Sequence, residues 1–150
     1  MNRTRKYDIS ILLDDAEKSL ETDYGFYLLE ADGNLIGGER REFETEEYPE
    51  KDGAKINPVA TKQPYESVYT LCCFGPNTEV VPKIKAFEQS LYDGMTAKEI
   101  TFYNDAKGFS FKGYSRDIEI TDFKPQSVQD VVTFEWTLYN ASGETDTSLY

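Results

Sequence analysis

The chain has 150 residues and a net charge of −12, from 28 acidic and 16 basic residues. That length suits a single domain, able to bury roughly 70% of its unfolded surface without a staple. A balance this acidic repels a phosphate backbone and an anionic membrane surface, so tight nucleic-acid binding and membrane attachment are set aside.

Tyr7 to Leu13 is a short apolar run ending in Asp14-Asp15, and it predicts a first strand. Phe26 to Leu29 predicts a second, and Asp32-Gly33-Asn34 is a turn signal because Gly and Asn tolerate positive φ. Leu35-Ile36 then starts a returning strand, so residues 26 to 36 read as a hairpin. From 39 to 64 the character changes. Glu39 to Asp52 carries seven acidic and three basic residues around Phe43 and Tyr48, and Pro49, Gly53, Pro58 and Pro64 punctuate the stretch. It reads as an extended, exposed loop, and a loop this long in a small domain usually has work to do.

Tyr65 to Phe74 predicts a central strand, with Tyr65, Ser67, Tyr69, Leu71 and Cys73 on one face and Val68, Cys72 and Phe74 on the other. Gly75-Pro76-Asn77 ends it. Ile84, Phe87, Leu91 and Met95 then recur at spacings of three and four, which predicts one amphipathic helix at about 83 to 93, capped by Asn77 or Thr78 and closed by Asp93-Gly94. Glu99 to Tyr103, Gly108 to Tyr114 and Arg116 to Phe123 predict three further strands. The last strand alternates most regularly: Val132, Phe134, Trp136 and Leu138 face one way, and Thr133, Glu135, Thr137 and Tyr139 the other. Residues 141–150 are small and polar and read as a frayed, flexible tail. The sum is a β-rich (α+β) chain: a β-sandwich or partly closed β-barrel with one flanking α-helix, in a single domain spanning 1–150.

Aromatic residues make up 14% of the chain, which favours pleated, half-buried surfaces. The two cysteines, Cys72 and Cys73, are adjacent, point to opposite faces of a strand and do not suit a disulfide with each other. The basic start, Met1 to Lys6, is followed by Asp14, Asp15 and Glu17 instead of an apolar segment, so no secretory signal is expected. The chain is accordingly read as cytoplasmic when synthesised. Asn140-Ala141-Ser142 matches a glycosylation sequon but carries no weight in that setting.

With no histidine in the chain, the Ser-His-Asp triad, the Cys-His pair and most zinc sites are excluded. No glycine-rich phosphate loop and no Cys-x-x-Cys pair is present. Carboxylates are the remaining candidates for chemistry, at Asp14-Asp15 and at Glu42, Glu44, Glu46 and Glu47. Acid runs in a loop are ordinarily solvated, and the EF-hand pattern is absent. No catalytic residue, metal ligand or cofactor is therefore assigned. Tyrosines outside the core suit interfaces, where area comes with a polar tip.

The segment Glu46-Glu47-Tyr48-Pro49-Glu50-Lys51-Asp52-Gly53-Ala54-Lys55-Ile56 resembles an aromatic-Pro-acidic-x-Asp-Gly stretch in tail proteins of phages and prophages. The order that follows, a strand at 65 to 74, a helix at 83 to 93 and strands closing on Phe134-Glu135-Trp136, is similar to their distal-tail and tail-tube type of domain. The resemblance covers about residues 24 to 140, mostly as element order, and Met1 to Asp23 falls outside it. It implies a structural protein that forms rings with copies of itself and meets other tail proteins through long loops. On that reading Phe43, Glu44, Glu46, Glu47, Tyr48, Glu50 and Asp52 form the candidate interface. It also implies an acidic lumen past which DNA slides, in a virion tail. The competing reading is a small acidic cytosolic binding protein, of the immunity type, that masks a basic partner. A carboxylate enzyme is the third.

Overall fold

The computed structural model describes residues 3–31, 37–40, 44–47, 54–57, 61–124 and 130–150. In chain order these form β1 (Ile9–Leu13), β2 (Ala16–Ser19), α1 (Leu20–Tyr24), β3 (Tyr27–Ala31), β4 (Glu44–Glu47), β5 (Ala54–Asn57), β6 (Tyr65–Gly75), α2 (Asn77–Ser90), β7 (Tyr92–Asp93), β8 (Thr96–Ala97), β9 (Ile100–Asn104), β10 (Phe109–Lys124) and β11 (Asp130–Asn140). Seven strands make one antiparallel sheet in the order β2-β1-β9-β10-β11-β6-β3, while β4 pairs with β5 and β7 with β8.

The long strand β10 joins two halves of that sheet. Its first residues, Phe109–Gly113, pair with β9, and from Tyr114 onward it pairs with β11. Register shifts at Ser115/Asp117 and Ile120/Asp122 mark irregularities of the bulge type, which bend a strand and raise its twist. The inner faces of the two halves meet. Phe102 of β9 lies 4.7 Å from the ring of Tyr69 on β6 and 5.9 Å from Trp136 on β11, although those strands are not its neighbours in the sheet. Trp136 Nε1 donates to Ser115 Oγ at 2.8 Å, tying the core to the bend. The sequence divides β10 into two strands because Ser115-Arg116 interrupts the apolar alternation; the backbone ladder runs on through them.

The alternation in β11 is realised as read: Val132, Phe134, Trp136 and Leu138 are fully buried and the residues between them half-buried. Helix α2 closes the other part of the core, with Val80, Ile84, Phe87 and Leu91 buried and the Phe87 ring 5.2 Å from both Trp136 and Phe26. The helix begins earlier than expected. Pro76 is its N-cap residue, and the Pro76 carbonyl accepts the N–H groups of Glu79 and Val80. Pro82 sits inside the helix and leaves the Thr78 carbonyl without its usual donor. The helix also ends earlier. Asp93 ends β7 and Gly94-Met95 is the turn of the β7–β8 hairpin, with Gly94 at φ +63°, so Met95 is fully exposed and is not part of the apolar stripe.

Residues 14–24, which carry little apolar signal, are ordered around capping and turn chemistry. Asp14 and Asp15 have φ of 50° and 62° between Leu13 and Ala16, the two-residue turn that matches strand twist in a hairpin. Ser19 caps α1 by accepting the Thr22 N–H, and the Asp23 carboxylate accepts the Ser19 N–H at 2.7 Å. Strand β3 pairs with β6, not with a following strand among the described residues; the expected turn and return at 32–36 lie outside them.

Two further expectations change. Where the sequence reads as a structureless loop, Glu44–Glu47 and Ala54–Asn57 form an antiparallel ladder, because the pairing is carried by the backbone and needs no apolar face. Residues 141–150 fold back onto the sheet. Ser110 and Asp146 exchange both backbone bonds at 2.8 Å, and the Arg3 N–H donates to the Leu149 carbonyl.

Candidate functional site

The arm between Gly38 and Pro64 carries the predicted interface. Glu44, Glu46 and Glu47 lie on β4, where the register sets Glu44 opposite Asn57, Glu46 opposite Lys55 and Glu47 opposite Ala54. Phe43, Tyr48, Glu50 and Asp52 lie outside the described residues, as does Glu42. At the root of the arm Arg40 pairs with Lys62, and the Gln63 N–H donates to the Glu39 carbonyl at 2.6 Å. The Arg40–Lys62 bridge and the Glu44–Asn57 pair are both antiparallel.

The other carboxylate candidates, Asp14 and Asp15, form the β1–β2 turn. Asp14 pairs with Lys98 at 3.2 Å across the β1–β2 turn. A polar cleft of about 480 Å³ lies beside the N-terminal segment, lined in part by Arg3, Lys6, Ser10, Glu17, Ser19 and Asp105. Its charged groups face one another. Arg3 holds the buried Asp105 through two bonds of 3.0 and 3.1 Å, meets Glu17 at 2.6 Å and stacks 4.0 Å from the Tyr103 ring centroid. The Tyr150 hydroxyl donates to the same Asp105 carboxylate. Burial acts to lower the pKa of Arg3, and the bonds to Asp105 and Glu17 outweigh it and hold the guanidinium above its ordinary value. Burial, with the bond to Asp105, raises that of Tyr150. Asp8 accepts from the Ile9 N–H and from the Ser19 hydroxyl at 2.6 Å. This cluster satisfies itself and joins the start of the chain to β9 and the last residue. Among the described residues, no group of three or more Cys, Asp or Glu side chains could hold a metal ion, and no helix is long and apolar enough to cross a membrane.

Sequence reasoning missed two exposed surfaces. The second part of β10, from Arg116 to Lys124, pairs with β11 on one side and is open to solvent on both faces apart from Ile118. Ile120 and Phe123 are 40% and 42% exposed there. On the outer face of β3 and β6, Tyr27 and Phe74 are exposed with ring centroids 5.5 Å apart, beside an exposed Leu29. The outer face of β10 and β11 is acidic: Glu119 stands directly opposite Glu135, and Asp117 and Asp122 flank Glu119. The signal that could have found these surfaces was topological, since it depends on which strands lack a neighbour.

No family model matches the chain, and no curated protein matches it. Among solved structures it is similar to that of the SPP1 Dit protein (gp 19.1), described as a paradigm of the hub adsorption apparatus in phages that infect Gram-positive hosts. The likeness has a TM-score of 0.52 at 17% identity and covers 87% of this chain. The chain spans about half of that protein, 49% of its length. At this identity the likeness is one of fold, and it is the fold that the tail-protein resemblance implies.

Proposed function

We propose that this chain is a non-catalytic structural component of a phage or prophage-derived tail, which assembles with copies of itself, as a ring, and with neighbouring tail proteins. The observation that carries the reading is the fold likeness to the SPP1 Dit protein over 87% of the chain. The rooted arm at 39–64 supplies the reach that ring neighbours need, with Phe43, Glu44, Glu46, Glu47, Tyr48, Glu50 and Asp52 as its contact residues. The acidic outer face of β10 and β11, and the charge of −12, keep a polyanion from adhering to the assembled part.

Oligomeric mass tests this directly. Light scattering and native mass spectrometry of the purified chain are expected to show a closed homo-oligomer, and deletion of residues 41–60 to reduce it to a monomer. A wild-type chain that stays monomeric at all concentrations and captures one basic protein would replace this reading with the masking one. Turnover of a glycoside or phosphoester, abolished by Asp14→Asn or Glu44→Gln, would replace it with an enzyme.

A further inference from the structure

Asn140 ends β11 and its side chain is fully buried. The amide organises the turn that follows. Its Oδ1 accepts the Gly143 N–H at 3.1 Å and the Ser142 hydroxyl at 3.2 Å, and its Nδ2 donates to the Glu144 carbonyl at 2.9 Å. The nitrogen that a glycosylation sequon would present to a transferase is thus committed to the fold. The turn in its place presents the Gly143 carbonyl, which accepts the Gly38 N–H at 2.7 Å. Gly38 begins the arm.

The fit at this junction leaves no room for a side chain. A Cβ on Gly38 would lie 1.9 Å from the Gln63 carbonyl oxygen, one on Gly143 would lie 2.3 Å from the same oxygen, and one on Gly37 would lie 2.1 Å from the Gly143 carbonyl oxygen. Three main-chain segments therefore touch without intervening side chains: both sides of the arm's root and the turn after β11. Gly37 and Gly143 also have φ of 100° and 71°, where other residues are strained.

We infer that the turn at 140–144 is a lock that holds the root of the arm in one orientation on β11, with Asn140 as its positioning residue. The arm leaves the body through two main-chain strands, and its direction is set where those strands meet the Gly143 carbonyl. A neighbouring copy of this chain then meets an arm already aimed, and the ordering cost is met at folding instead of at assembly. The role of the arm rests on the tail reading above; the lock itself is a property of the isolated chain.

Hydrogen exchange of the full chain, read over 37–40, 61–63 and 141–146, tests it. In wild type these amides are expected to be protected. In Gly38→Ala and in Asn140→Ala they are expected to exchange about tenfold faster or more, while Trp136 fluorescence and protection across β6 stay as in wild type. Root protection unchanged in both variants would overturn the lock. Should Asn140→Ala lose the core, Gly38→Ala decides, because it lies outside β11. Core protection lost together with the root in Gly38→Ala would also overturn it, since the junction would then be part of the global fold and not a separate device. A wild-type chain with a protected root that never assembles leaves the lock standing and sinks the tail reading. Undiminished assembly by a Gly38→Ala chain with a loosened root shows that the lock does not serve assembly.

Discussion

Strands β10 and β11 lie side by side and read alike in sequence, yet the fold treats them differently. Ile118, Ile120 and Phe123 of β10 stand opposite Trp136, Phe134 and Val132 of β11 in register. On β11 these inward residues are fully buried; on β10 only Ile118 packs against the core, and Ile120 and Phe123 are substantially exposed. The difference lies in the neighbours. β11 has β10 on one side and β6 on the other, with α2 over its inner face. β9 reaches only as far as Gly113, so among the described residues the rest of β10 has no strand on that edge. Alternation specifies a strand and its two faces, whereas the partners a strand acquires decide whether either face is dry.

The largest expected effect is on the covered side. Trp136 is fully buried, contacts Phe87 and Phe102 and donates to Ser115, so Trp136→Ala is expected to cost about 3–5 kcal/mol in chemical denaturation. A variant as stable as wild type would mean that the two faces of β11 are exchanged by a one-residue slip.

The covered side also has a pH signature. Cys73 stands opposite Val132 in register, and burial pushes its thiol up from an ordinary 9.0 to about 11. Burial likewise raises the pKa of Cys72 and, with the nearby Asp23 and Asp14, that of Tyr24. Between about pH 9 and 11 the unfolded chain gives up the Cys73 proton while the native chain keeps it. Stability is therefore whole below that window and falls as pH rises through it, by up to about 3 kcal/mol from this thiol alone. Denaturant midpoints at successive pH values should decline less steeply in Cys73→Ala; parallel slopes would remove Cys73 from the account.

Ile120→Ala sharpens the contrast from the open side. The side chain is 40% exposed and has less apolar area to return to water, so a loss of about 1 kcal/mol or less is expected. A penalty as large as that of Trp136→Ala would show that this edge of β10 is covered in solution, and light scattering of the same sample would identify a second copy as the cover.

The smallest effect tests the outer face. Glu119 and Glu135 are directly opposed like charges, an arrangement that costs stability. Glu119→Lys is expected to raise stability by about 0.2–1 kcal/mol, and added salt to narrow the gain. A loss of stability would mean that the acidic pair already has a cationic partner.

The legible parts of the fold were those where burial and periodicity coincide. Val132 to Leu138, Tyr69 with Leu71, and Ile84 with Phe87 and Leu91 each repeat at the spacing of their element and end up in one core. What stayed hidden depends on groups with no periodic signature. β2 is a polar edge strand, and β4 with β5 is a ladder with one large apolar residue, Ile56, among charged, polar and small ones. The continuation of β10 through Ser115-Arg116 is a backbone fact. At the candidate interface the sequence located the arm by its acids and prolines. It had no means of marking its anchor, because Gly38, Gly143 and the Asn140 amide act through main-chain contact, and an isolated Gly or Asn reads as an ordinary turn.

The neighbouring thiols at Cys72 and Cys73 give the chain two reporters of opening. Both are buried and reduced, on opposite faces of β6. Cys72 lies on the outer face, opposite Tyr27 and Thr133 in register, so a local shift of β3 uncovers it. Cys73 lies in the central cluster and is uncovered only when that core opens. Pulsed alkylation followed by peptide mapping would therefore time two events from adjacent atoms: the breathing of an edge and the rupture of the whole domain.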